Sequence, residues 1–432
     1  MKTALLVCSP NAGMLDNWLP ILFNLKKKIK IEIFIPKESL IFQIKSNKFF
    51  FKNIDRIFST IHYQKDFAGI NSVKSFDNVK RNNLRYFSIL VNKFFLKLFN
   101  REIDIYVFFL WFFSFFKKSL IEYNNIFKHC DIILCDILEL QKSYLYYFNK
   151  YALNKCKISM CHGPDFPYFN KNYVKINKNY HPPGSSITNK IILFSKTKHE
   201  ISYYKNRLSN LQNDFYRIGN PKHDPKWVNY ILKKEFFFNN KKQPYVFIIS
   251  RNAEKSYLPS YKKLQYIQWI KEKILDELKL KIVVKLHPKE NIETYYYKIF
   301  GKKNYGKSWV YSDDHPFAIG KKALFSISFF SGVAVDMNKI KTPNIEILDL
   351  KDFAKKNSSS IFFNRKKEPV FRIRYLNLTM GASSQNQFNI LVDSILCERK
   401  IIIKNLSKNY VKYYNSELNS IKKISKLIMD AL

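Results

Sequence analysis

Residues 281–290 read KIVVKLHPKE, in which a short apolar run is followed by a histidine and a proline. The apolar residues are continuous rather than alternating, which is typical of a strand in a sheet covered on both faces. Similar runs recur along the chain, each followed by a polar loop and a segment of helical length. They lie at residues 4–8, 31–35, 132–134, 157–160, 191–194, 245–250, 323–328 and 344–348. The pattern predicts parallel α/β layers, in which ligands bind beyond the carboxyl ends of the strands.

The length and composition indicate a folded protein of more than one domain. The chain has 432 residues, 46% of them hydrophobic, and its 39 Phe and 28 Tyr exclude disorder over most of the length. Between the apolar runs lie periodic segments such as residues 261–278, where apolar residues recur at helical spacing. Turn-forming residues cluster in GNPKHDPKW (219–227), and FFFNNKKQP (236–244) ends just before a new buried run. We therefore predict two βα-type domains, residues 1–230 and residues 231–432, with C-terminal helices in the second.

The formal net charge of +40 limits the classes of partner. Of the 74 basic residues 11 are Arg and 63 are Lys, whereas proteins that bind nucleic acids or phosphates rely on Arg. AT-rich codons account for much of the Lys excess, because Ile, Asn, Phe and Tyr are abundant as well. A nucleic-acid partner is therefore not expected, and the basic surface favours nucleotides, acidic lipids or phosphorylated acceptors.

Residues 103–116 are the most apolar stretch, but about 14 residues are too few to span a bilayer. They predict either a buried core helix or a helix that lies in the membrane surface. The six cysteines include no C-x-x-C pair, so neither a zinc knuckle nor a disulfide framework is expected. These features predict a cytoplasmic protein, with peripheral contact to the inner face of an anionic membrane as an open alternative.

Polar residues that follow the apolar runs of the first half are candidates for catalysis. His162 lies in CHGPD (161–165), where Gly and Pro force a turn. An imidazole there can remove a proton from a hydroxyl near neutral pH. The alternative is a turn histidine that is hydrogen-bonded to the backbone. Asp136 and Glu139, in CDILEL (135–140), are further candidate bases.

Polar residues at three strand ends of the second half predict an anion site. A guanidinium at a strand end can bind a diphosphate, and a histidine before a proline is held in extended geometry. A Ser-Gly turn at the start of a helix offers a hydroxyl and free N–H groups. The alternatives are an ion pair of Arg251 with Glu254, a buried histidine bound to a carbonyl, and an aspartate that balances the helix dipole. The predicted donor-binding residues are Arg251, Asn252, His287, Pro288, Ser328, Ser331, Gly332 and Asp336.

The sequence contains no motif for a cofactor or a metal ion. G-x-G-x-x-G, G-x-x-x-x-G-K-[ST] and D-x-D motifs are all absent, so no dinucleotide, Walker or metal site is expected. The charge of a bound phosphate would then be met by His, Arg, Ser and helix amides without a cation.

In this order the motifs resemble those of the two-Rossmann-domain (GT-B) transferases of bacterial surface glycans. The most similar members are the CDP-glycerol glycerophosphotransferases and the capsule sialic acid or Kdo transferases with an HP motif. The resemblance covers about residues 156–350 and rests on His162-Gly163, GNPKHD (219–224), KLHP (285–288), Ser328, Ser331, Gly332 and Asp336. It implies two Rossmann-like domains facing across a cleft, the first binding an acceptor and the second a nucleotide donor.

The resemblance also implies roles for individual residues. His162 would be the general base on the acceptor hydroxyl, His287 would contact the donor phosphate, and Ser331 with Ser328 would hold the nucleotide phosphate. The implied protein is a metal-independent inverting glycosyltransferase, without a cofactor, that uses a CMP-sugar to build a bacterial surface polysaccharide. Its partners would be the nucleotide-sugar donor and a glycan or lipid-linked acceptor.

Three other functions stay open at this point. One is a CDP-glycerol or CDP-ribitol phosphotransferase of teichoic-acid-like polymers, and another is a UDP-GlcNAc 2-epimerase-like enzyme. The third is a protein without catalysis that binds anionic surfaces.

Overall fold

The structure, a computed structural model, describes part of every predicted α/β region. The described residues are 1–8, 13–35, 40, 43–44, 47–63, 126–136, 155–161, 190–194, 214–234, 243–254, 257–287, 290, 295–349, 361–363, 369–414 and 419–432. Residues 103–116, Glu139, His162 and Pro288 lie outside these ranges, so the predictions made for them stay predictions.

The first sheet has seven strands, and all neighbours in it are parallel. The strands are β1 (Thr3–Val7), β2 (Lys30–Ile35), β3 (Thr60–Tyr63), β4 (Ile132–Asp136), β5 (Cys156–Met160), β6 (Lys190–Leu193) and β7 (Asp214–Arg217). Their order in the sheet is β3-β2-β1-β4-β5-β6-β7. Every residue of β4 is buried, as expected for a central strand that is covered on both faces.

The second sheet has six parallel strands. They are β8 (Tyr245–Ile249), β9 (Lys281–Lys285), β10 (Trp309–Tyr311), β11 (Ser326–Ser328), β12 (Asn344–Ile347) and β15 (Met380–Ala382). Their order is β10-β9-β8-β11-β12-β15. A separate antiparallel hairpin consists of β13 (Ile361–Phe363) and β14 (Pro369–Phe371). In both large sheets the chain runs from a central strand to one edge and then continues on the other side, so both are doubly wound. The predicted α/β fold with two Rossmann-like domains is confirmed.

Ten helices with assigned bounds lie in the described ranges. They are α1 (Gly13–Leu25), α2 (Lys48–Ile57), α3 (Pro225–Lys234), α4 (Ser260–Ile270), α5 (Tyr296–Phe300), α6 (Pro316–Lys322), α7 (Val333–Lys339), α8 (Arg372–Tyr375), α9 (Gln385–Tyr413) and α10 (Ser420–Met429). A π-helical turn, Lys271–Glu277, continues α4, and short 3-10 turns cover Pro221–His223 and Lys302–Asn304. The long helix α9 is kinked at Glu398, where the backbone is not helical.

The chain forms two compact units, and their bounds differ from the predicted domains. The first unit comprises Met1–Lys45, Phe50–Lys222 and Asn419–Leu432, and the second comprises Ser46–Phe49 and His223–Leu418. The last helix, α10, therefore belongs to the first unit, whereas the prediction placed all C-terminal helices in the second. This helix packs against α1, its Ile424 and Ile428 are buried, and Asn24 Nδ2 of α1 donates to Ser425 Oγ at 2.9 Å.

Close packing of α6 against α7 depends on a glycine in the second unit. A Cβ atom at Gly320 would lie 2.5 Å from Met337 Sδ and 2.9 Å from Ile340 Cδ1. We expect Gly320→Ala to lower the free energy of unfolding by roughly 1–2 kcal/mol, because overpacking exceeds the gain in helix propensity. Urea unfolding measures this change. In a Met337→Ala background the same substitution should cost less, because only the close approach to Ile340 Cδ1 remains. A stabilising effect in the wild type would contradict the prediction.

Candidate functional site

The second sheet has its topological switch point between β8 and β11. These strands are neighbours, but the chain leaves them toward opposite edges of the sheet. Ligands of such sheets bind in the crevice beyond the carboxyl ends of the two strands at the switch point. Ser250 and Arg251 follow β8, and Phe329, Phe330 and Ser331 follow β11. In the second unit, this is where the topology and the predicted polar residues coincide.

Arg251 joins the two strand ends. Its Nη1 donates to the main-chain oxygen of Phe330 at 2.6 Å, and its Nε donates to the Tyr257 hydroxyl at 2.6 Å. The guanidinium carbon lies 5.0 Å from the ring centroid of Tyr257 and 5.2 Å from that of Phe330, within cation–π range. Among the described residues Arg251 forms no ion pair with Glu254, and its Nη2 has no hydrogen-bond partner. Asn252 beside it is half-buried. Arg251 is thus held through two of its three side-chain nitrogens and retains a donor for a ligand.

A strained turn follows β11. Phe330 has a φ of 50°, and a non-glycine residue in the left-handed region costs of order 1–3 kcal/mol. Its ring packs on Phe371 with centroids 4.2 Å apart and on Tyr257 at 4.6 Å. These ring contacts and the hydrogen bond from Arg251 stabilise the turn and fix its carbonyl. Strain of this kind clusters at ligand sites.

The two serines predicted to bind phosphate have different surroundings. Ser331 Oγ accepts from the main-chain N–H of Val333 at 3.3 Å, at the start of α7 and next to Gly332. Ser328 is wholly buried in β11, and its hydroxyl donates to Asn344 Oδ1 at 2.9 Å. Ser328 therefore belongs to a polar network inside the sheet, and its predicted phosphate contact stays a prediction. Ser331 and Gly332 stay predictions.

Asp336 contacts a histidine that carries no role in the sequence-based prediction. Its Oδ1 lies 2.7 Å from His223 Nε2, and the Tyr410 hydroxyl lies 2.7 Å from Nδ1 of the same ring. His223 is 3% exposed and Asp336 is 5% exposed. Burial, with a contribution from Asp336, raises the pKa of Tyr410, so the phenol keeps its proton. Asp336 is thus part of a buried chain of hydrogen bonds through His223 to Tyr410, and its predicted ligand contact stays a prediction.

His287 follows β9 and is half-buried. Its main-chain N–H donates to Glu290 Oε2 at 3.2 Å, and its main-chain oxygen accepts from the N–H of Glu290 at 2.8 Å. Glu290 forms an ion pair with Lys263 of α4, and neither of these two residues was predicted. The Lys263 ammonium also donates to the main-chain oxygen of Arg251 at 2.6 Å. Arg251 and His287, which the sequence predicts at one site, are therefore linked through their main chains.

In the first unit the structure describes one of the three predicted catalytic residues. Asp136 is the last residue of β4 and is completely buried. β4 lies beside β1, where the strand order of the first sheet reverses, so Asp136 lies at the carboxyl-end switch point of its own sheet. His162 and Glu139 lie outside the described residues.

No group of three or more His, Cys, Asp or Glu side chains in the described ranges could hold a metal ion. No helix in the same ranges is long and apolar enough to cross a membrane.

No protein-family model and no curated protein matches this sequence. Solved structures do match over the whole chain, at low sequence identity. S. aureus MnaA in a co-structure with UDP has a TM-score of 0.55 and 10% identity, over 100% of this chain and 98% of that chain. The Methanocaldococcus jannaschii UDP-GlcNAc 2-epimerase in complex with UDP-GlcNAc and UDP has a TM-score of 0.54 and 13% identity, over 100% of both chains. The Neisseria meningitidis UDP-GlcNAc 2-epimerase bound to UDP-GlcNAc has a TM-score of 0.54 and 10% identity, over 100% of both chains.

These likenesses show the fold, which is GT-B-like, and they correct the predicted reaction. The matching structures named above include UDP-GlcNAc 2-epimerases, which are isomerases, and none is described as a glycosyltransferase. The prediction of a glycosyltransferase is therefore wrong. The specific resemblance to CDP-glycerol and Kdo transferases has no support among these structures, although a GT-B-like enzyme of surface-glycan chemistry is compatible with them.

Proposed function

We propose that the second unit binds the uridine diphosphate part of a nucleotide sugar, and that the chain epimerises a UDP-sugar of the UDP-GlcNAc class. Support for the reaction class comes from the shared fold, because the similar structures are named as UDP-GlcNAc 2-epimerases. Uridine replaces the predicted cytidine, since those structures contain UDP or UDP-GlcNAc. An epimerisation needs no separate acceptor, so the nucleotide sugar is the one proposed partner.

The position of Arg251 is the main observation in favour of nucleotide binding by the second unit. Arg251 lies at the switch point of a doubly wound sheet, its main chain follows β8, and two of its donors are fixed by Phe330 and Tyr257. A guanidinium that is held in this way loses little conformational freedom when it binds a diphosphate. His287 and Ser331 are the further proposed phosphate contacts.

The chemistry of epimerisation requires acid and base groups. At C2 of the sugar a C–H bond is broken and a new C–H bond is formed on the opposite face, so the overall change is an isomerisation without a co-reactant. One group must remove the proton and one must deliver it. Asp136 and His162, the candidate bases of the sequence analysis, are the proposed groups.

The test of the reaction is proton NMR of UDP-GlcNAc incubated with the protein in D2O. We expect the H2 signal to decrease and a second set of anomeric signals to appear as the C2 epimer accumulates with deuterium from the solvent. UDP binding without either change would overturn the epimerase assignment and leave a nucleotide-binding protein. No binding of UDP in calorimetry would overturn the whole proposal.

The nucleotide assignment predicts that Arg251→Ala weakens UDP binding roughly 10- to 100-fold, the value of one charge-assisted hydrogen bond. Arg399 offers a matched control at the opposite end of β11. Its Nε donates to the main-chain oxygen of Leu324 at 2.8 Å, so Arg399→Ala also removes an arginine that binds a main-chain carbonyl. We expect that control to leave the UDP dissociation constant unchanged in calorimetry. Equal effects of the two substitutions would contradict the assignment.

A further inference from the structure

A lysine that is completely buried contacts the residues that follow β8 at the switch point of the second sheet. The side chain of Lys263 is 0% exposed. Its Nζ donates to the Arg251 main-chain oxygen at 2.6 Å and to Ser250 Oγ at 3.3 Å, and it pairs with Glu290. The Tyr295 ring lies 4.3 Å from the same atom. An ammonium group has three donors, and all three are used within the protein.

Glu290 is the counter-ion and is equally buried, with a side chain that is 0% exposed. Its Oε1 accepts from Ser250 Oγ at 2.8 Å in addition to Lys263. Its Oε2 accepts from the main-chain N–H of His287 at 3.2 Å. The Tyr296 hydroxyl, which is also buried, donates to Ser250 Oγ. The carboxylate thus contacts both the end of β8 and the turn after β9.

Stability alone does not explain this arrangement. Taking two charges out of water costs free energy that their attraction often only balances, so apolar side chains of similar volume would serve a core as well. Burial lowers the pKa of Lys263 in spite of the attraction of Glu290, which indicates that this cost is present here. What the ion pair does provide is directional contact with two main-chain segments, those of Arg251 and His287.

We propose that Lys263 and Glu290 are positioning residues that fix the main chains of Arg251 and His287 so that their side chains meet one diphosphate. This inference rests on the proposed nucleotide binding of the second unit. It assigns a role to two residues that contact no ligand. It also predicts that the tighter binding of a diphosphate than of a monophosphate depends on the Lys263–Glu290 pair.

The experiment compares the dissociation constants of UMP and UDP in calorimetry, for the wild type and for the double variant Lys263→Met/Glu290→Leu. Removing both charges avoids leaving one of them buried without a partner. The ratio of the two constants measures the contact with the second phosphate, and we expect it to fall at least tenfold in the double variant. A purely structural role would change the unfolding midpoint and leave this ratio as in the wild type.

A matched control lies in the π-helical turn that continues α4. Lys273 has a side chain that is 6% exposed, and its Nζ pairs with Asp393 Oδ1 at 2.8 Å and with Glu277. Lys273→Met should leave the ratio unchanged. If the double variant does not fold, Glu290→Gln keeps the shape and one acceptor oxygen, and a smaller fall in the ratio is expected.

The outcomes separate the two proposals. A wild-type protein that binds UDP, together with a double or Glu290→Gln variant that keeps the full preference for UDP, overturns the positioning role and leaves the proposed function intact. A wild-type protein that binds neither nucleotide overturns the proposed function itself.

Discussion

Replacing Asp136 with asparagine is expected to lower the rate of epimerisation by about 100- to 10,000-fold, the range for loss of one general acid or base. Asparagine has nearly the same shape but cannot carry a proton in the reaction. Asp136 ends β4 and is completely buried, so its carboxyl group is sheltered from bulk water. The dissociation constant of UDP should stay within about twofold, because Asp136 is not among the proposed nucleotide contacts.

Asp131 provides the control for this substitution at the other end of the same strand. Its carboxylate accepts from the Thr3 main-chain N–H at 2.8 Å and from Lys2 Nζ at 3.2 Å. Asp131→Asn removes a charge beside β4 without touching the carboxyl end of the sheet, and the rate of epimerisation should not change. A fully active Asp136→Asn protein would refute the role of Asp136 and leave His162 as the proposed base.

The apolar runs predict the central strands well because burial dictates their composition. Val246 and Ile248 of β8 and Ile282 and Val284 of β9 are all 0% exposed, and such positions accept little besides aliphatic side chains. The same rule fails at the sheet edges. In β7 (Asp214–Arg217) no residue is buried, so this strand has a polar composition and is absent from the predicted set.

In the candidate site, too, features that are local in sequence can be predicted, whereas contacts between distant residues cannot. A position at a strand end can be read from the sequence, and the structure places Arg251, His287 and Ser331 at such ends. The partners of a side chain cannot be read in this way, because His223 and Asp336 are 113 residues apart and Tyr410 is 187 residues from His223.

Two local features of the sequence point to the buried hydrogen bonds of β11 and to the buried ion pair of α4. Ser326 and Ser328 alternate with an apolar residue in a strand, which places both hydroxyls on one face, and both bond to Asn344. Lys263 interrupts the apolar face of the helical pattern in residues 261–278, three positions before Tyr266 and four before Ile267. A lysine at such a position is a candidate for a buried, paired ammonium.

The pH dependence of stability gives the other large effect, at a buried carboxyl group in β12. The side chain of Glu346 is 0% exposed, and its Oε2 accepts from Arg374 Nε at 2.5 Å. The main-chain N–H of Phe330 also donates to this carboxyl group, which favours the charged form. Burial raises the pKa of Glu346 from 4.5 to about 7, although Arg374 opposes the shift.

The raised pKa of Glu346 determines whether the free energy of unfolding rises or falls with pH. Below pH 4.5 the carboxyl group is protonated in both the folded and the unfolded chain, and its contribution to stability is fully present. Between pH 4.5 and about 7 the unfolded chain releases the proton and the folded chain keeps it, so the free energy of unfolding falls as pH rises. At 1.36 kcal/mol per pKa unit, the loss is roughly 3 kcal/mol and is complete above about pH 7.

Glu346→Gln removes the titrating group and keeps its shape. We expect the free energy of unfolding of the variant, minus that of the wild type, to rise by roughly 3 kcal/mol between pH 4 and pH 8, as measured by urea unfolding at each pH.

Glu32 is a control of opposite sign. Burial raises its pKa, but hydrogen bonds from Lys30 and His62 outweigh that effect and lower it. Stability from Glu32 is present above pH 4.5 and is lost as pH falls through the lowered pKa, so the difference for Glu32→Gln should decrease as pH rises through that range. A difference for Glu346→Gln that also decreases with rising pH would mean that Arg374 outweighs burial and keeps Glu346 charged in the folded protein.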